Sequence, residues 1–253
     1  MKLQRLYSYV RRAVDDYHMI EPGDVIAVGV SGGKDSLALL YALHGLRRFY
    51  PAHFDLQAIF VDPGYESSAE GESSAEGIKP VQGLCSDLSV PFTVVHTSIR
   101  QMVFEGHPES ASLCSLCARL RKGALNEEAL KLGCNKIAYG HHRDDMVETM
   151  MMSLIYEGRF YAFPPVTHLE RTGLTVIRPM MYVSEADLIG FRNRYELPVY
   201  KNPCPADGST RRAYVKKLLA QINRENHGAT ERMFHALTEG HIEDWPKKIS
   251  DKH

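Results

Sequence analysis

Val25-Ile26-Ala27-Val28-Gly29-Val30 reads as a buried parallel strand, and Ser31-Gly32-Gly33-Lys34-Asp35-Ser36 follows it directly. Leu37-Ala38-Leu39-Leu40-Tyr41-Ala42-Leu43 then reads as a helix. A glycine pair between a buried strand and a helix start lets the backbone curl with its N–H groups outward. The helix N-terminus adds partial positive charge there. Lys34 can reach a bound anion, and Ser31 and Ser36 add hydroxyl donors. The expectation is a phosphate-binding loop, with a ligand-free glycine-rich turn as the alternative.

Two commoner phosphate loops do not fit. A Walker A motif needs Gly where Val28 stands and Ser or Thr where Asp35 stands. The dinucleotide pattern fails because Gly29 is followed by Val-Ser-Gly. What remains, S-G-G-x-D-S, resembles the PP-loop of the ATP pyrophosphatase superfamily. That resemblance implies splitting of ATP between its α and β phosphates, with a substrate adenylated and pyrophosphate released.

The chain has 253 residues, enough for one large domain or one domain with a small appendage. Hydrophobic content of 44% and charged content of 24% fit a soluble globular protein. No apolar stretch approaches a membrane span, and Met1-Lys2-Leu3-Gln4-Arg5 lacks the core of a secretory signal, so a cytoplasmic location is expected. Five cysteines do not suit a closed disulfide framework. The net charge of −1 does not by itself point to nucleic acid. Basic clusters at Arg11-Arg12, Arg119/Arg121-Lys122, Arg211-Arg212, Lys216-Lys217 and Lys247-Lys248 read singly as solvated faces, or together as a phosphate-tracking stripe.

Along the chain, residues 1–19 show a helical stripe of Leu3, Leu6, Val10, Val14 and Tyr17, ended at Glu21-Pro22-Gly23. Strands are expected at 25–30, 55–61, 91–99, 134–139 and 174–177, with helices between and after them. Asp62 ends the second strand, as a ribose or Mg²⁺ contact or as a turn former beside Pro63-Gly64. Residues 66–77 are Glu-Ser-Ser-Ala-Glu-Gly twice over and read as a mobile loop. Ser184 reads as a helix N-cap, with Glu185 and Asp187 in the first turn. Helices are expected at about 209–222 and 229–238, with the final dozen residues weakly ordered. The alternation predicts an α/β fold with a doubly wound, mostly parallel sheet and a helical C-terminal part. Its parts are a helix at 1–20, an ATP-binding domain at 21–205 and a helical extension at 206–253.

Cys114-Ser115-Leu116-Cys117 opens a helix, and Cys204 stands alone between prolines. Three thiolates without a fourth suit an iron–sulfur cluster with one open iron; three core cysteines are the alternative. Cys85 and Cys134 fall in apolar patterns and read as core. Gly140-His141-His142-Arg143-Asp144-Asp145 puts carboxylates where a strand meets a helix start, as Mg²⁺ ligands or as the helix N-cap. Tyr161 and Phe163 read as base-stacking rings or as core.

The set Leu113–Gly123, Lys136–Asp145 with Glu148-Thr149, Gly158-Arg159, Pro164-Pro165 and Ile177-Arg178-Pro179 is similar to the TtcA family of tRNA 2-thiocytidine synthetases. The resemblance covers most of residues 20–205. It implies ATP, Mg²⁺ and a 4Fe-4S cluster as cofactors, and replacement of the C2 oxygen of cytidine 32 of tRNA by sulfur. It also implies Cys114, Cys117 and Cys204 as cluster ligands, with incoming sulfide on the open iron. Ser31, Gly32, Gly33, Lys34, Asp35, Ser36, Asp62, Gly140 and His141 are then the ATP-binding residues, and Lys34, Asp35 and Asp145 the catalytic ones. Asp144 and Asp145 are candidate Mg²⁺ ligands; Arg119, Arg121, Lys122 and Arg178 are candidate tRNA contacts. A cysteine desulfurase or other sulfur donor is the implied partner, no membrane is involved, and a homodimer is left open. Two features depart from the family: Cys204 is not within a second cysteine cluster, and the hexapeptide repeat is foreign to it. The rivals are a 2-thiouridine or lysidine type of PP-loop enzyme and a non-catalytic nucleotide-binding redox sensor.

Overall fold

A computed structural model describes residues 1–64, 77–104, 113–200 and 211–240. The strands are β1 (Asp24–Gly29), β2 (Phe54–Asp62), β3 (Phe92–His96), β4 (Lys136–Ala138), β5 (Val166–Leu169) and β6 (Leu174–Ile177). The helices are α1 (Leu3–Asp16), α2 (Lys34–Leu46), α3 (Lys79–Asp87), α4 (Ile99–Phe104), α5 (Leu113–Lys131), α6 (Arg143–Glu157), α7 (Glu185–Arg194), α8 (Arg211–Glu225) and α9 (Ala229–Glu239). The strands form one sheet in the order β3-β2-β1-β4-β6-β5. All pairs are parallel except β5 with β6.

β1 lies at the centre because both its faces are apolar: Ile26, Ala27 and Val28 are fully buried. Val28 pairs with Ala58 of β2 on one side and Ala138 of β4 on the other. The chain runs outward from β1 through β2 to β3, then returns to the far side of β1 at β4. That reversal places a crevice outside the carboxyl ends of β1 and β4, where open α/β sheets hold ligands. The loop Ser31–Ser36 and the segment Gly140–His142 follow those two ends.

α1 buries Leu6, Val10, Ala13 and Val14 in the main core, with the spacing its sequence stripe required. Each buried Val or Leu there contributes about 1.5–3 kcal/mol of burial free energy. Polar latches fix its position: the Tyr182 hydroxyl donates to Asp16 at 2.7 Å, and the Leu3 amide donates to the Tyr195 hydroxyl at 3.0 Å.

Three features differ from the sequence expectation. α4 and β5 are additional elements; each is short, and β5 is an edge strand whose side chains are only partly buried, so neither carries a clear periodicity. α5, whose sequence pattern places a helix from about Cys117 to Leu132, begins at Leu113, so both cysteines of the pair are helical. The loop expected at 106–112, nearly all of the hexapeptide repeat, Cys204 and the final dozen residues lie outside the described residues. Among the described residues no helix is long and apolar enough to cross a membrane.

Candidate active site

Ser31 and Ser36 shape the first loop from within. The Ser36 hydroxyl accepts from the Ser31 amide at 3.1 Å and donates to the Gly33 carbonyl at 3.0 Å, with the Ser31 hydroxyl 3.2 Å away. Gly32 takes φ +80°, a left-handed conformation that strains any side chain. Its carbonyl accepts from the Tyr200 amide at 2.9 Å, and the Tyr200 side chain fills the space a Cβ at Gly32 would need. Gly33 then caps α2. The Lys34 ammonium lies 3.1 Å from Asp35 and 3.4 Å from Glu185, at the first turn of α7. Burial raises the Asp35 pKa, and its Oδ1 is buried without a protein partner.

β4 delivers the second wall. A Cβ at Gly140 would stand 3.0 Å from the Asp35 carbonyl carbon and 3.0 Å from the Ser36 nitrogen, so glycine there lets the two loops touch. Gly140→Ala pushes backbone against backbone and shifts the first turn of α2. We expect it to destabilise the chain by roughly 1–3 kcal/mol and to weaken ATP binding. Thermal melts and calorimetric titration measure both; unchanged ATP affinity contradicts the close fit.

The two adjacent histidines diverge. His142 is the N-cap of α6: it accepts from the Asp145 amide, while Asp145 Oδ2 accepts from the His142 amide at 3.0 Å. The sequence put Asp144 or Asp145 at the cap; the reciprocal bond instead makes His142 the cap and Asp145 its third-position partner. Asp144 accepts from the Glu185 amide at 2.8 Å, tying α6 to α7. His141 turns toward the cleft, its ring 4.6 Å from Phe163 and its Nδ1 buried without a protein partner. Burial, then the nearby Arg178, lowers its pKa to about 3.

The folded His141 therefore refuses a proton that the unfolded chain accepts near the ordinary value of 6.5. Its contribution to stability is constant above that pH and declines as pH falls from there toward 3. His141→Gln should flatten this part of the stability–pH curve. Equilibrium urea unfolding between pH 4 and 8 tests it, and an unchanged slope contradicts the assignment.

Arg212 on α8 was not singled out as a site residue in the sequence, yet it reaches the same place. Its guanidinium lies 3.1 Å from Asp145 and 3.3 Å from Glu148, and it donates to Thr149. One turn on, Lys216 pairs with Glu185 at 2.6 Å. Only a basic pair four residues apart on a helix hinted at this, and nothing local names its acidic partners.

α5 closes the cleft. Together with Ser31, Asp35, Ser36, Gly140, His141 and Asp145, the α5 residues Ala118, Arg121, Lys122 and Leu125 line a cavity of about 370 Å³. Cys114 is exposed and Cys117 half-buried, three residues apart on one face of α5, at the end that leads into this wall. Cys85 and Cys134 are buried, and burial pushes both thiols up to about 11, as expected of inert core cysteines.

The remaining candidates take varied positions. Asp62 is buried outside the cavity lining, accepting from the Gly64 amide at 2.9 Å and lying 3.2 Å from His96, as a turn former does. Arg178 is buried rather than surface-exposed. It donates to the Pro164 carbonyl and to Thr167, and stacks 4.9 Å from Phe163. Arg119 is exposed on α5. Lys122 lies 5.9 Å above the Tyr139 ring; burial of its ammonium, then the cations Arg178 and Arg212, lowers its pKa.

A tight serine-framed glycine loop after β1, a His–Asp segment after β4 and a shared cavity between them define a PP-loop nucleotide site. The family model described as PP-loop domain matches residues 6–222. The chain is 38% identical over 251 residues to the tRNA-cytidine(32) 2-sulfurtransferase of Pelobacter propionicus, covering 98% of this chain and 89% of that one. It is 38% identical over 239 residues to the protein of that name from Geobacter sulfurreducens, covering 94% and 90%. The chain belongs to the family of tRNA-cytidine(32) 2-sulfurtransferases. The solved structure of the U34-tRNA thiolase NcsA from Methanococcus maripaludis with its 4Fe-4S cluster shares the fold. It has TM-score 0.72 and 23% identity, covering 94% of this chain and 79% of that one.

Proposed function

We propose that this chain uses ATP to replace the C2 oxygen of cytidine 32 in tRNA with sulfur. The observation that carries this reading is the dual use of α5: its first turns hold the thiols of Cys114 and Cys117, and its next turns wall the nucleotide cavity. Activation and sulfur delivery then share one helix. A pyrimidine oxygen is a poor leaving group, and adenylation converts it into departing AMP. The loop Ser31–Ser36 orients the triphosphate so that the base oxygen meets the α-phosphate in line. Lys34 counters the charge that grows on the phosphoryl oxygens. His141, neutral at working pH, and Asp35 each bring to the cavity a buried polar atom with no protein partner, available to a ligand.

The residues present fit the two metal groups the family uses. Two thiols a helical turn apart would supply two cluster ligands, with Cys204 the third in this reading; when bound, the cluster would supply the sulfur for the activated carbon. Asp145 lines the cavity and would hold a Mg²⁺ that offsets triphosphate charge, whereas Asp144 lines a separate pocket with Glu148, Glu185 and Lys216. A cysteine desulfurase or another sulfide source would feed the site.

Mass analysis of tRNA nucleosides from a deletion strain tests the reading. Loss of 2-thiocytidine, restored by the wild-type chain, is expected. Unchanged 2-thiocytidine with another thionucleoside missing would move the assignment to the 2-thiouridine type. Absence of pyrophosphate release with tRNA, sulfide and intact cluster would favour a nucleotide-binding redox sensor.

A further inference from the structure

We infer that the outer end of α6, the loop after it and the start of α8 form a stacking platform for unpaired nucleotides of the RNA. Tyr156, Phe160, Tyr161 and Tyr214 supply the rings, and Arg159 and Arg211 the phosphate contacts. This rests on the RNA substrate proposed above and locates where that RNA lies outside the cleft.

The first observation is exposure. Large apolar side chains are mostly covered in this chain, yet these four rings are exposed by between 40% (Tyr156) and 58% (Tyr214). The second is the company they keep. Arg211 lies 4.9 Å from the Tyr156 ring centre and Arg159 5.3 Å from that of Tyr161. Arg159 is also paired with Glu157 at 2.8 Å, so Arg211 is the stronger phosphate partner. Flat rings alternating with guanidinium groups match the alternation of base and phosphate in a single strand, and stacking is indifferent to base identity.

The third observation is position. β5 runs antiparallel to β6, and Val166 at its start pairs with Ile177 at the end of β6. The loop after α6 must therefore return to the carboxyl edge of the sheet, the edge that holds the cleft. Two residues beyond Tyr161, Phe163 packs on His141 at 4.6 Å. At the other margin, Arg211 adjoins Arg212, which grips Asp145 at 3.1 Å. The loop thus leads to the nucleotide cavity through Phe163 and His141, so one base can enter the cavity while its neighbours stack outside.

The test is binding of a full-length unmodified tRNA transcript to the full chain, purified anaerobically, followed by fluorescence anisotropy. Phe160→Ala and Tyr161→Ala should each weaken tRNA binding about ten-fold, and Tyr161→Phe should retain wild-type affinity. ATP affinity, measured in parallel, should stay at the wild-type value. Alanine variants that bind tRNA like wild type overturn the platform alone. A shift from dimer to monomer in sedimentation of the Ala variants overturns it in favour of a second copy of the chain as occupant. A wild-type chain that binds no tRNA overturns the platform together with the RNA reading beneath it.

Discussion

Lys34→Met is expected to lower tRNA-dependent pyrophosphate release by roughly 10²–10³-fold, the scale for removing one positioned charge-stabilising group. Met keeps the apolar stem and removes only the ammonium. In the ligand-free chain that ammonium sits between Asp35 and Glu185. Glu185 has a second cation, Lys216, at 2.6 Å. When Lys34 turns to a phosphate, Glu185 therefore stays paired, and the contact given up is the one with Asp35. The variant should fold normally, because the group removed is polar and at the rim. A drop confined to ATP affinity, with turnover intact at saturation, would mean that Lys34 binds ground state and transition state equally. Lys34→Arg should recover only part of the rate, since a planar fork cannot take the place of a compact ammonium. Wild-type release from the Met variant would remove Lys34 from the chemistry.

Cys117→Ala or Cys114→Ala should abolish both the iron–sulfur absorbance and 2-thiocytidine formation, while ATP affinity stays within about two-fold of wild type. The thiols stand at the N-terminal end of α5. The cavity wall begins at Ala118 and continues to Leu125, roughly 10 Å further along the axis. Truncating a thiol at the rim leaves those wall residues in place, which is why the two readouts should separate. Cys85→Ala and Cys134→Ala are the controls: both remove a buried group, so they lower stability but spare the cluster. Iron and sulfide assays with nucleoside mass analysis report the outcome. A cluster surviving in both rim variants, or full-occupancy zinc in its place, would detach this cysteine pair from sulfur delivery.

The sequence was most informative where function is written locally. Strand, glycine pair and helix start are contiguous, so the loop from Ser31 to Ser36 could be read before any tertiary contact was known. Ser184 caps α7 by accepting from the Asp187 amide at 3.1 Å, again a local pattern. Arg212 and Glu185 were hidden for the opposite reason. Glu185 reads as a first-turn acid favoured by a helix dipole, and its contact with Lys34 spans 151 residues. Arg212 reaches Asp145 across 67. No spacing rule reports such meetings, which depend on how α7 and α8 pack. Arg178 was a candidate tRNA contact through the family resemblance; its burial beneath Pro164, Thr167 and Phe163 was not visible from its neighbours in sequence.

The latches on α1 bear on the order in which the chain assembles. α1 is made long before the hydroxyls it meets, which belong to Tyr182 and Tyr195, 166 and 192 residues from their partners. β1 likewise gains its second neighbour, β4, only after more than a hundred residues have been made. Closing loops of that length precedes the reward of the contacts they create. Until those later segments are made, the nascent chain carries an unfinished apolar helix and a half-paired central strand. A ribosome-bound intermediate lacking residues beyond about 175 should be protease-sensitive at α1 and a client for chaperones, although its phosphate-loop sequence is already complete.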